Sequence, residues 1–144
     1  MATQSNLTTI SLKAAADLST KQFYAVQVSA ADTVNVASAA GQKVIGFLQD
    51  KPSAAGRPAS VAIYGVSKAV AGAAIAAGAL VKTLANGKVD DASVVTTADA
   101  SGASATAATT GAYVIGMAID AATAEDQIIR VAILHMGAVP GTAA

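Results

Sequence analysis

The side chains in this sequence that could do chemistry are few and scattered. His135 is the only histidine. It closes an apolar segment, where a lone imidazole is expected to be a rim or interface residue, because catalytic and metal-binding histidines act with a second His, a Cys or a carboxylate. Asp50 and Asp120 could serve as the paired acids of a glycoside hydrolase if folding brought their carboxyls to roughly 5–9 Å. Each stands where an apolar segment meets a polar loop, a place where Asp commonly accepts hydrogen bonds from turn amides. Asp90-Asp91 and Glu125-Asp126 lack the alternating oxygen spacing of a calcium loop and are expected to be solvated loop charge. No Gly-rich phosphate loop, nucleophile elbow or zinc-binding helix motif occurs. The expectation is a protein that is not an enzyme, with no catalytic residue, no metal and no cofactor.

The two acids belong to an internal repeat. Lys43-Val44-Ile45-Gly46-Phe47-Leu48-Gln49-Asp50 returns as Tyr113-Val114-Ile115-Gly116-Met117-Ala118-Ile119-Asp120, an offset of 70 from 43 to 113. At the same offset Ser60-Val61-Ala62-Ile63 matches Arg130-Val131-Ala132-Ile133, and His135 falls where the first copy has Gly65. Each copy is expected to be a β-hairpin, two apolar strands joined by a polar loop of equal length. Gly46, Asp50, Gly116 and Asp120 then form a structural spine, the glycines serving close sheet packing or a bulge.

Composition limits what surrounds that spine. With 144 residues, one domain of ordinary size is expected. Aromatic residues make up only 3%, so the core must come from Val, Ile, Leu and Ala. A thin aliphatic core of this kind favours homo-oligomerisation. Nine basic and nine acidic residues give a net charge of zero with no basic face, which argues against a nucleic-acid partner. There is no Cys, hence no disulfide framework or zinc-thiolate site. Residues 1–4 lack the pattern of a signal peptide, and the longest uncharged apolar run, 69–81, is shorter than a bilayer needs, so a soluble, non-secreted protein without a membrane partner is expected.

Along the chain, residues 1–12 carry Leu7, Ile10 and Leu12 among Thr, Ser and Asn, as an edge strand or an extended arm would. Alternation over 23–29 and 33–36 predicts a strand pair joined by a tight turn. Strands are also expected at the first repeat and over 59–68, around a loop holding Pro52, Arg57 and Pro58. Residues 69–78 are either a short helix or a compact loop. Asn86-Gly87 predicts a type I′ hairpin turn between 79–84 and 88–95. Residues 96–111, almost all Ala, Thr, Ser and Gly, predict a surface flap that includes Ser101 and Thr106. The fold class expected is mainly β: a compact β-sandwich or barrel-like domain over 13–141, with an N-terminal arm over 1–12, a tail over 142–144 and at most one short helix.

A resemblance rests on the order of short motifs between about residues 20 and 137: Phe23-Tyr24-Ala25-Val26, Ala30-Ala31-Asp32-Thr33-Val34, Val44-Ile45-Gly46, the Ala- and Gly-rich stretch 71–81, Ala85-Asn86-Gly87-Lys88 and Val114-Ile115-Gly116. This order resembles the small capsid decoration proteins of tailed bacteriophages, also called cement or head-stabilising proteins. The resemblance implies a β-rich domain made in the host cytoplasm and bound to the outer capsid surface of the virion. It implies the major capsid protein as partner, self-association as a homotrimer, and a role in clamping neighbouring capsid proteins against genome pressure. The expected capsid-binding arm carries Thr3, Leu7, Thr9, Ile10 and Leu12. Pro52, Arg57, Pro58, Ser101 and Thr106 are expected on outward loops. The alternative is a carbohydrate-binding or adhesive head protein that presents those loops to host surfaces, although glycan sites usually offer aromatic platforms and few aromatics are available.

Overall fold

The structure, a computed structural model, describes residues 5–92 and 112–138. It is built from strands: β1 (Ser5–Ala14), β2 (Ala25–Ala30), β3 (Thr33–Val36), β4 (Gly46–Leu48), β5 (Pro58–Val70), β6 (Leu80–Thr83), β7 (Val89–Asp91), β8 (Tyr113–Ala118) and β9 (Ile128–Ala138). No helix occurs among the described residues. The strands hydrogen-bond in the order β1-β3-β2-β4-β5-β9-β8-β6-β7. Because β1 also pairs with β5, the first five strands in that order close into a small ring. A parallel bridge from Ala71, just after β5, to Val89 of β7 closes the other end in the same way. The mainly β domain expected from alternation is therefore two closed rings that share β5.

The rings are two copies of one unit, and the repeat read from the sequence is only part of it. Val26 pairs with Gly46 in the first unit, and Val81 pairs with Gly116 in the second. The parallel pair Ala14 with Val34 has its counterpart in Ala71 with Val89. Loop hydrogen bonds repeat too: Leu18 N–H donates to Pro52 O, and Ile75 N–H donates to Ala122 O. The ring interiors consist of matching buried pairs: Ala14 and Ala71, Leu18 and Ile75, Val26 and Val81, Val34 and Val89, Leu48 and Ala118, Ala59 and Ile129, Val61 and Val131. Strand β5 closes the first unit and opens the second.

Local chemistry explains where the strands stop. Residues 69–78 are not helical: Ala69 and Val70 finish β5, and Ala71 and Ile75 make isolated bridges. The amides of Ala71, Gly72, Ile75 and Gly78 donate instead to Gln127, Val89, Ala122 and Ala118, partners outside the segment. The turn at Asn86-Gly87 also differs from the type I′ expectation. Gly87 alone has positive φ, 80°, and its N–H donates to Leu84 O. The Asn86 side chain accepts from Lys88 N–H, so the paired strands end at Thr83 and Val89 and the loop is longer than two residues. The returning strand is described over Val89–Asp91, and residues 93–95 of the expected strand lie outside the described residues.

The repeated glycines have one shared reason. A Cβ on Gly46 would overlap the carbonyl oxygen of Ala62, and a Cβ on Gly116 would overlap that of Ala132, the residue 70 positions further on. Neighbouring strands approach too closely there for any side chain. Gly46→Ala and Gly116→Ala are each expected to destabilise the fold by about 1–3 kcal/mol through forced backbone shifts. Urea unfolding midpoints will show both lowered.

Candidate interaction surface

The sequence-predicted acids come to rest in loops. Asp50 Oδ1 accepts from Ser60 N–H at 3.1 Å, and Asp120 Oδ2 accepts from Arg130 N–H at 3.1 Å, so each carboxylate closes the base of its own hairpin loop. The second acid does more. The Arg130 guanidinium grips it through Nε at 2.9 Å and Nη2 at 2.7 Å, and these side-chain bonds, aided by the amide and opposed by burial, hold the Asp120 carboxyl down to about 2. Glu125 and Asp126 both clasp Lys88, at 2.6 and 2.7 Å, which fastens the β8–β9 loop to the β6–β7 turn. The Asp126 and Glu125 carboxylates push the Lys88 ammonium pKa up. Asp90 accepts from the N–H of Asp91. Among the described residues no group of three or more His, Asp or Glu side chains could hold a metal, and no helix is long and apolar enough to cross a membrane.

His135 is a clip at the point where the two units part company. Its Nε2 lies 3.0 Å from Ile63 O and its Nδ1 3.0 Å from the Tyr113 hydroxyl. A carbonyl only accepts, so Nε2 carries the proton and Nδ1 receives the one from Tyr113. Both His135 and its counterpart Gly65 have positive φ, 44° and 100°. Beyond Gly65, β5 runs on into the second ring, whereas beyond His135, β9 stays paired with the start of β8.

The expected arm takes a different place from the one foreseen. Residues 5–14 form β1, which pairs antiparallel with β5 and parallel with β3 of the same chain. No boundary falls at residue 12, since the strand runs through it. Leu7 packs against one core cluster, and Ile10 and Leu12 against the other, while Thr9 is exposed. The apolar residues of this segment thus have a partner sheet within the chain, fifty residues downstream and invisible to local pattern. Thr3 lies outside the described residues, as do Ser101 and Thr106. Of the outward loop, Arg57 and Pro58 are exposed but Pro52 is buried, because its carbonyl caps the first ring by accepting from Leu18.

The surfaces that remain for interaction are apolar and come in complementary halves. On the outer face of the first unit, Ala25, Phe47 and Ala62 are fully buried, in one cluster with Val81, Ile115 and Ile133 from inside the second ring. The first unit therefore stops the mouth of the second. The counterparts of those three residues, Leu80, Met117 and Ala132, form a cross-strand row on the outer face of the second unit, where Met117 is 39% exposed and the other two are half-buried. Conversely, Ala69, Thr83, Ile115 and Ile133 at the stopped mouth are buried. Their counterparts at the mouth of the first ring, Leu12, Val28, Ile45 and Ile63, are half-buried, or in the case of Val28 54% exposed. An open pocket of about 520 Å³ lies beside that mouth, lined by Gln27, Val28, Gln42, Lys43, Val44 and Ile45. Sequence reasoning missed both surfaces, because nothing in the residues tells which copy of an apolar position will be covered by the other.

No protein-family model and no curated protein matches the sequence. The fold is similar to that of the head fiber gp8.5 N base in bacteriophage phi29, with a TM-score of 0.58, 17% sequence identity, and coverage of 94% of this chain and 100% of that one. At this identity the likeness is one of fold.

The Asp120–Arg130 pair makes stability depend on pH. The folded pKa of about 2 lies below the roughly 3.9 of an unfolded Asp, so the stabilisation is present above about pH 4 and lost as the pH falls through about 2. The pair is partly exposed, which limits it to about 1 kcal/mol or less. Asp120→Asn is expected to be less stable than the parent at pH 7, with the difference shrinking steadily as the pH falls from about 4 through about 2, as measured by urea unfolding across that range.

Proposed function

We propose that this chain is a non-enzymatic structural protein of a bacteriophage head, located on the outer capsid surface, where it clamps neighbouring major capsid proteins against the pressure of the packaged genome. The observation that carries this reading is the likeness of fold to a phage head fiber base along nearly the whole chain. The order of short motifs from residue 20 to 137 supports it independently. In this reading Asp50, Asp120, Glu125 and Asp126 brace loops: each is engaged by an amide, Arg130 or Lys88. Partners in this reading are the major capsid protein and other copies of the chain in a homotrimer, with neither nucleic acid nor membrane.

The mechanism is mechanical. A chain with few aromatic anchors makes modest individual contacts. Several engaged at once raise the effective concentration of the rest, so that separating two capsid proteins requires breaking decoration contacts as well as shell contacts. Of the expected capsid-binding arm, Thr9 faces solvent and is kept in that role, whereas Leu7, Ile10 and Leu12 serve the protein's own packing; Arg57 and Pro58 are exposed as an outward loop requires, and Pro52 is buried.

Co-sedimentation with expanded, DNA-free heads of the cognate phage tests the reading. The parent protein is expected to saturate the heads, and the variant Thr9→Glu to bind at least about tenfold more weakly while unfolding normally. Heads carrying the protein should retain their genome on heating better than bare heads; equal loss would refute the clamp.

A further inference from the structure

We propose that the two uncovered apolar surfaces are halves of one interface between copies of this chain. The outer face of the second unit, Leu80, Met117 and Ala132, covers the mouth of the first ring, Leu12, Val28, Ile45 and Ile63, in the next copy. This repeats between chains the contact that the two units make within one chain. It deepens the self-association included in the preceding reading, and it is tested without a capsid, so either can fail alone.

The duplication carries the argument. Within the chain the first unit presents Ala25, Phe47 and Ala62 to the second ring, and the residues on both sides of that contact are buried. Duplication provides each unit with both an outer face and a mouth, but a chain of two units can join only one face to one mouth. One of each is left over, and the leftovers are apolar at the matching positions. Val28 and Met117 are both exposed large apolar side chains, and each has a buried counterpart, Thr83 and Phe47. Exposed apolar groups gathered on a surface mark contact sites.

Geometry allows the contact without exchange of strands. Within the chain the units share β5, but the first ring already has β1 in the equivalent position, so a second copy need supply only a face. The His135 clip turns the end of β9 onto β8 and keeps it clear of a neighbour's β1. Met117 replaces Phe47 in the protruding position, and a flexible thioether fits a less regular cavity than a ring does. The open pocket beside Val28 and Ile45 is where it would enter.

Face meeting mouth is a heterologous contact, which closes into a ring of copies when the rotation permits and otherwise grows as a fibre. The homotrimer is one such ring. Analytical ultracentrifugation of the parent, of Met117→Glu and of Val28→Glu tests this, with circular dichroism to verify folding of each. The parent is expected to self-associate, and each variant to do so at least about tenfold more weakly, because a carboxylate would be buried without a partner. The mixture is decisive. Met117→Glu retains a sound mouth and Val28→Glu a sound face, so together they should form a 1:1 dimer and nothing larger. A parent that stays monomeric at about 100 μM, variants that assemble like the parent, or a mixture that remains monomeric would each overturn the proposal.

Discussion

Strand β5 belongs to two closed rings at once, and the rest of the architecture depends on how it passes from one to the other. Its first half pairs with β1 and β4, its second half with β9. The handover occurs at Gly65, where φ is 100° and where a Cβ would overlap the carbonyl oxygen of Asn6 on β1. Only a residue without a side chain lets β1 cross there while β5 turns over. Ala62 alternates with Val61 and Ile63, so it lies on the outside of the first ring and is buried against the second, and the outside of one ring becomes the stopper of the other. The second ring has no complete hydrophobic boundary without this arrangement.

The part of this plan that was legible in the residues is the part where backbone approach dictates side-chain type. Gly46 and Gly116 sit against carbonyl oxygens, and the apolar pairs around them alternate as strands require, so the two hairpins stand out at a constant offset of 70. Elsewhere the copies are offset by 55 (Val26 to Val81) or 57 (Ala14 to Ala71), and the residues at equivalent special conformations have drifted apart. Positive φ occurs at Phe23 and Gly78, Asp32 and Gly87, Gly56 and Asp126, Gly65 and His135. In each pair one copy keeps glycine and the other holds the same conformation with a side chain. A reading of turns from glycine finds half of each pair and misses the correspondence. The pairing of residues 5–12 was hidden for another reason: their strand partner, β5, is set by topology and leaves no trace in local sequence.

Charge has been distributed unevenly between the copies. The second unit is braced by Asp120 with Arg130 and by Lys88 with Glu125 and Asp126. The equivalent loop of the first unit relies on the Asp50 carboxylate and the buried Pro52, with only a long, exposed contact between Lys13 and Asp32 elsewhere in that unit. Ion pairs of this kind contribute little stability individually, but they fix loop geometry.

The sharing of β5 also orders events on the ribosome. All strands of the first ring lie between residues 5 and 70, so that ring can close while the second half is still being made. Its outer face, with Phe47 at the centre, stays wet until β8 and β9 emerge, and for that interval the nascent chain presents the same kind of apolar surface that the finished protein shows at Met117. Neighbouring chains on one message are thus exposed to mispairing during synthesis, a vulnerability that falls once the second ring closes over the first.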